Sequence, residues 1–161
     1  MIGYAMAQDQ ISARLCPEYF TVFHNPIPGL TDPTELRTLC GAVDLPVVAL
    51  IGVGAGEIVR PQTLMAAVQR AVIDETNAIV FAEPGNSFAW ANHLLRFDSP
   101  RYRLSGSWAS MGHMVTGAVG ASLESGRTSV VLTGDGAMLM LSELSSAAQY
   151  QAPVVWVVLN D

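Results

Sequence analysis

Two short polar clusters stand out in a largely apolar chain. Gly134-Asp135-Gly136 closes the β-branched run that begins at Ser129, and Asn160-Asp161 closes a second run that begins at Val154. Carboxylate and amide oxygens are hard ligands of the kind Mg²⁺ takes, and glycine amides can approach phosphate oxygens with no Cβ in the way. Together these residue types suit a phosphate bridged to the protein by a metal ion. The chemistry requires the clusters to meet, and the pattern between them supplies the means. An amphipathic stretch separates the two apolar runs, so the order reads strand, loop, helix, strand. Parallel strands joined by such a crossover open on the same edge of a sheet, which brings Asp135 toward Asn160 and Asp161.

The preceding elements repeat this logic. Pro61 opens a helix whose Leu64, Val68, Ala71 and Val72 share one face, while Gln62, Gln69, Arg70 and Asp74 fall elsewhere. Ala78 to Ala82 reads as a strand and Glu83-Pro84-Gly85-Asn86-Ser87 as its exit loop, with Asn86 or Ser87 expected to cap a helix running to about Leu95. A loop of this kind holds an anion on free amides at the positive end of the helix. Asp98 to Arg101 is a turn, and Tyr102 to Leu104 a short strand. Ser107 to Gly112 leads into a helix over about 110–125, ended by Gly126, with Gly112, Thr116 and Gly120 forming a narrow face suited to close backbone approach.

Three of these segments resemble one enzyme group. Gly134-Asp135-Gly136 followed by a strand ending in Asn160 resembles the thiamin diphosphate (ThDP) signature. Ser107-Trp-Ala109-Ser110-Met111-Gly112 resembles the Gly-Ser-Met-Gly segment of pyruvate oxidases and acetohydroxyacid synthases, and Ala82-Glu83-Pro84-Gly85-Asn86-Ser87 is similar to a segment of pyruvate decarboxylases. The resemblance covers about residues 61–161. It implies the diphosphate-binding domain of the acetolactate synthase, pyruvate oxidase and 2-oxo-acid decarboxylase group, a three-layer α/β/α fold on a mostly parallel sheet, incomplete at the C-terminus.

The same resemblance implies roles. Gly85, Asn86, Ser87, Gly134, Asp135, Gly136, Ala137 and Asn160 would hold the cofactor, the last five around its diphosphate. Ala109, Ser110 and Met111 would meet the aminopyrimidine. Met111 would be the catalytic side chain under the bend between the two rings, where the cofactor's own imino group deprotonates the thiazolium carbon. Mg²⁺ would take Asp135 and either Asp161 or Asn160. The family commonly has Asn where this chain has Asp161, so both stay open. His113, next to this segment, is weighed as a substrate or proton-relay residue against packing.

Composition narrows the alternatives. The formal net charge of −6 and the scarcity of Lys and Arg exclude a basic phosphate or nucleic-acid surface, which agrees with a bridging metal. Cys16 and Cys40 lack metal-ligand spacing and read as reduced thiols, the default of a cytoplasmic protein. No apolar run reaches the roughly 20 residues of a membrane span, and a membrane location is not expected.

Residues 1–58 are expected to be the tail of a preceding domain and a linker, with a helix over about 33–42 and a strand over 45–51. Residues 59–161 are expected to be the N-terminal part of the ThDP domain. Gly52-Val-Gly54-Ala-Gly56-Glu57 lacks the third spaced glycine of a dinucleotide fingerprint, so a linker is preferred to a nucleotide site.

The expected function is the diphosphate and Mg²⁺ half of an enzyme acting on a 2-oxo acid such as pyruvate, by decarboxylation or by acetolactate- or acyloin-forming transfer. A non-catalytic cofactor-binding or assembly module is the alternative. The activating glutamate is expected on a pyrimidine-binding domain elsewhere in the protein or on another chain, because Glu83, Glu124 and Glu143 stand in the wrong contexts. The isolated chain is therefore expected to be inactive, and a homo-oligomer is expected.

Overall fold

Alternate residues of the central strands feed two separate cores, one on each face of a sheet. The fold is taken from a computed structural model that describes residues 21–23, 47–52, 59–140 and 142–160, with backbone alone at 21–23, 47–52 and 160. Cys16, Cys40, His24, the helix expected over 33–42, the Gly54–Glu57 loop and Asp161 lie outside the described residues.

The strands are β1 (Thr21–Phe23), β2 (Val47–Gly52), β3 (Ile79–Ala82), β4 (Tyr102–Leu104), β5 (Ser129–Gly134) and β6 (Val154–Asn160). They form a 6-stranded sheet in the order β1-β2-β6-β5-β3-β4, and every described pair is parallel. β2 lies directly beside β6, pairing Gly52 with Asn160, so strands on either side of the linker expected near residue 58 share one sheet. Strands buried on both faces need continuous apolar runs rather than alternation. Val130 to Leu132 and Val154 to Leu159 supply them, all buried.

The helices are α1 (Pro61–Val68), which continues into a wider π turn over Gln69–Ile73, α2 (Asn86–Leu94), α3 (His113–Ser125), α4 (Asp135–Met138) and α5 (Leu144–Gln149). Val80, Ala82, Val130, Leu132, Val155, Val157 and Leu159 pack on one face against Leu64, Met65, Val68 and Val72 of α1 and its π turn, and Ala91 of α2. Ile79, Phe81, Val131, Val154, Trp156 and Val158 pack on the other face against Met114, Val115, Ala118 and Val119 of α3 and Ala147 of α5. This is the three-layer α/β/α arrangement expected from the sequence. Trp156 is the largest fully buried side chain, and its indole N–H donates to the Val115 carbonyl at 3.0 Å, which satisfies the one polar atom of that ring.

Three local expectations are corrected. α2 starts where expected, but neither Asn86 nor Ser87 caps it: Gly85 holds the cap position with φ 126, and the Ser87 hydroxyl donates to the Glu83 carbonyl at 3.0 Å. α3 begins at His113 rather than near 110, because Ala109 (φ 50) and Gly112 (φ 89) take left-handed conformations that a helix cannot include. The single helix expected after Gly136 is two short ones, α4 and α5, so Asp135 is a first helical residue rather than a loop residue.

Candidate cofactor site

An all-parallel sheet sends the carboxyl ends of its strands to one edge, and the chemistry-bearing residues collect there. β5 and β6 pair Gly134 with Leu159, so Asp135 and Asn160 leave the sheet side by side. β3 pairs Ala82 with Leu132, which brings the turn after β3 to the same edge. A cavity of about 380 Å³ opens between these ends. Its walls are Pro84 to Ser87 from the turn after β3, Met111 from the run before α3, Gly134 to Ala137 from the end of β5, and Leu159, Pro61 and Trp90. A volume of this order suits a small-molecule or cofactor site.

Of the sequence-expected residues, Gly85, Asn86, Ser87, Met111, Gly134, Asp135, Gly136 and Ala137 are brought to this one cavity. Ala109 and Ser110 are exposed and do not line it. Asn160 follows Leu159 at the cavity edge, with its side chain outside the described residues, as is Asp161. His113 is exposed, and its Nδ1 lies 3.1 Å from the Ser105 hydroxyl. Pro61 and Trp90 were not anticipated. Trp90 stands one turn beyond Asn86 and so shares its helix face, a spacing legible in the sequence. Pro61 starts a helix that follows a parallel strand, and such helices begin at the carboxyl edge.

The electrostatics come mainly from backbone. α1, α2 and α4 all begin at the cavity, through Pro61, Asn86 and Asp135. The first amides of a helix have no intrahelical acceptor and carry the positive end of its dipole, so two amide-bearing starts and their dipoles favour an anion there. At Gly85, Gly134 and Gly136 an added Cβ would meet nothing within 4 Å, which leaves these backbones open to a ligand. Among the described residues, Asp135 is the one carboxylate residue on the cavity wall. Among the described residues no group of three His, Cys, Asp or Glu side chains is placed to hold a metal. A cation here would combine Asp135 with oxygens of the ligand it bridges. The fit to a diphosphate is good: glycine backbone, helix-start amides and, among the described residues, a single acid.

The Met111 segment is shaped by the two left-handed residues that bracket it. Ala109 and Gly112 turn the chain so that Met111 faces the cavity while remaining 54% exposed. Glu83, just before the β3 turn, is 0% exposed and points away from the cavity toward α3, where its Oε1 accepts the amides of Met114 and Val115 at 2.5 and 2.8 Å.

Comparison with known proteins agrees with this geometry. Residues 83–161 match the family described as thiamine pyrophosphate enzyme, C-terminal TPP binding domain. The chain is 36% identical over 107 residues to the acetolactate synthase large subunit of Haemophilus influenzae, covering 65% of this chain and 18% of that protein. It is 33% identical over 108 residues to the acetolactate synthase isozyme 3 large subunit of Escherichia coli, again covering 65% of this chain and 18% of the relative. The chain thus spans under a fifth of the length of these relatives. No solved structure matches it. No helix among the described residues is long and apolar enough to cross a membrane.

Proposed function

From the premise that residues 83–161 belong to the C-terminal TPP-binding domain family of thiamine pyrophosphate enzymes, we propose that the cavity holds the diphosphate end of ThDP together with Mg²⁺. The observation that carries this reading is the convergence of Gly85–Ser87, Met111 and Gly134–Ala137 on one cavity, from three separate parts of the chain. When bound, ThDP supplies the nucleophilic carbon and the electron sink for cleaving or joining bonds next to a 2-oxo-acid carbonyl. The protein's part is to bind and orient. The Gly85–Ser87 turn and the amides of Gly136 and Ala137 would hold the diphosphate, Asp135 would take the metal with Asn160 or Asp161 as a second ligand, and Met111 would support the cofactor between its two rings. Ala109 and Ser110, exposed and off the cavity wall, would meet the aminopyrimidine edge.

The reaction is proposed to be acetolactate-type carboligation, as the names of the acetolactate synthase relatives suggest, or decarboxylation of a 2-oxo acid such as pyruvate. A second chain or domain is proposed to supply the activating glutamate for the aminopyrimidine. Glu83, which precedes the cavity-lining Pro84, bonds through its carboxylate to α3. Leu104, Trp108, Met111, Leu139 and Met140 are large apolar side chains exposed on segments at or next to the cavity, and exposed apolar surface of this kind suits coverage by another protein surface. Such an assembly, most simply a homo-oligomer of the complete enzyme in the cytoplasm, would close the site.

The test is a decarboxylation and acyloin assay with ThDP and Mg²⁺ on the purified chain, alone and with a polypeptide carrying a pyrimidine-binding domain. The chain alone is expected to be silent, because the charge-assisted bond that favours the imino form of the cofactor is missing. The combination is expected to turn over. Robust turnover by the isolated chain would refute the second-domain proposal, and absence of any ThDP binding in the combination would favour a non-catalytic assembly module.

A further inference from the structure

Glu83 is completely buried, yet none of the chemistry assigned to the cavity uses its side chain. Its amide donates to the Leu132 carbonyl at 2.9 Å, its carbonyl accepts the Ser87 hydroxyl at 3.0 Å, and its Oε1 accepts the amides of Met114 and Val115. One residue therefore ties together the centre of the sheet, the Gly85–Ser87 turn and the start of α3. Gly112, which precedes α3, has no side chain with which to cap it, and its φ of 89 disfavours the usual capping residues. The Glu83 carboxylate, 31 positions away from Met114, takes that place and puts a negative charge at the positive end of the helix.

Upstream of Gly112 the segment has few anchors. β4 has three residues at the sheet edge, and residues 106–111 between it and Gly112 are all exposed. Downstream, Gly112 packs on Met140 and α3 is seated in the core through Met114 and Val115, while the hydrogen bonds that join the start of α3 to the Gly85–Ser87 turn run through Glu83. A merely structural cap has a simpler solution. Glu83 Oε2 is buried with no hydrogen-bond partner among the described residues, an arrangement that is costly in a protein interior.

We propose that Glu83 is a positioning residue that fixes Met111 at a set distance from the Gly85–Ser87 turn, so that both ends of the ligand meet one rigid spacing. The inference rests on the assignment of the cavity to ThDP for its functional meaning, but its mechanical part is independent of that assignment.

Amide hydrogen exchange on the ligand-free chain tests the mechanical part. Glu83→Ala is expected to speed exchange at Met114 and Val115 by about tenfold and at Ala89, whose amide donates to the Gly85 carbonyl, by at least about threefold, with Val130 to Leu132 unchanged. Should Glu83→Ala fail to fold, Glu83→Gln keeps an acceptor and is expected to show the same pattern at smaller amplitude. Faster exchange at Met114 and Val115 with Ala89 unmoved in the variant that folds would reduce Glu83 to a helix cap and overturn the proposal.

The functional part is read, in an assembly containing this chain and a pyrimidine-binding domain, by comparing Mg²⁺-dependent binding of ThDP and of inorganic pyrophosphate, which lacks the rings. Glu83→Gln is expected to weaken ThDP about tenfold while leaving pyrophosphate within about twofold. Equal losses on both overturn the positioning role. A wild-type protein that binds pyrophosphate as tightly as ThDP refutes the ThDP assignment itself and leaves the exchange result to stand or fall separately.

Discussion

Gly112 and Met140 are in such close contact that a Cβ built on Gly112 would lie 2.7 Å from the Cβ of Met140. The two residues belong to the segment carrying Met111 and to the turn after α4, so this contact locks the two walls of the cavity together. Gly112→Ala is therefore expected to cost about 1–3 kcal/mol, from the left-handed backbone and the clash combined. Gly117→Ala, in the interior of α3 with nothing within 4 Å of the added methyl, is expected to stabilise by about 0.5–1 kcal/mol. Urea denaturation of both variants checks the opposite signs. Equal effects would mean that the contact is not formed.

Asp135→Ala is expected to weaken Mg²⁺-dependent ThDP binding at least about tenfold, or ~1.4 kcal/mol, in an assembly containing this chain. The fold should survive, because Asp135 begins a helix of 4 residues at the cavity wall and is only half-buried. Cofactor titration at fixed Mg²⁺, beside a thermal melt, is the measurement. Unchanged affinity would remove Asp135 from the metal site.

Arg101 is a structural cation. Its guanidinium donates to the carbonyls of Ile73, Thr76 and Ala78, which end the π turn and lead into β3. Arg101→Ala leaves these acceptors without their donor, and a loss of about 2–4 kcal/mol is expected. Its ion pair with Asp98 spans 3.6 Å to a side chain that is 85% exposed, so Asp98→Ala should change stability by less than about 0.5 kcal/mol. Denaturation midpoints at constant slope distinguish the two.

Tyr102 stacks on Phe97 with ring centroids 5.0 Å apart, and its buried hydroxyl has no hydrogen-bond partner among the described residues. Burial pushes its pKa up from 10.0 to about 12. The folded state thus holds the proton that the unfolded chain releases at lower pH. The stability tied to this group is intact below pH 10.0 and is lost as pH rises through about 12. Tyr102→Phe should remove that alkaline loss and leave stability at neutral pH within about 0.5 kcal/mol, as measured by melting temperature across the window.

The sheet was legible because strands buried on both faces announce themselves. Val130 to Leu132 and Val154 to Leu159 have no reading other than interior, and their polar ends then fall at the carboxyl edge. Leu64, Val68, Ala71 and Val72 were legible for the same reason, since an outer helix on a sheet needs one apolar face. The capping around the site was not legible. Glu83 reaches amides of α3 that lie far along the chain, and no local spacing signals such a bond. The start of α3 was misplaced because Ser110-Met111-Gly112 reads as helical until the left-handed Ala109 and Gly112 are seen. The split between α4 and α5 was hidden by an apolar stretch, Met138 to Leu141, that reads as one continuous face.

The three tryptophans occupy three different dielectric settings: Trp156 is sealed in the core with its indole bonded to Val115, Trp90 forms part of the cavity wall, and Trp108 is 89% exposed. Intrinsic fluorescence can therefore be resolved by single-tryptophan substitutions into separate reporters. Red-shifting of the Trp156 emission follows unfolding, quenching of Trp90 follows occupation of the cavity, and a blue shift of Trp108 follows the docking of another surface. Each event would be visible in an unlabelled sample without waiting for turnover.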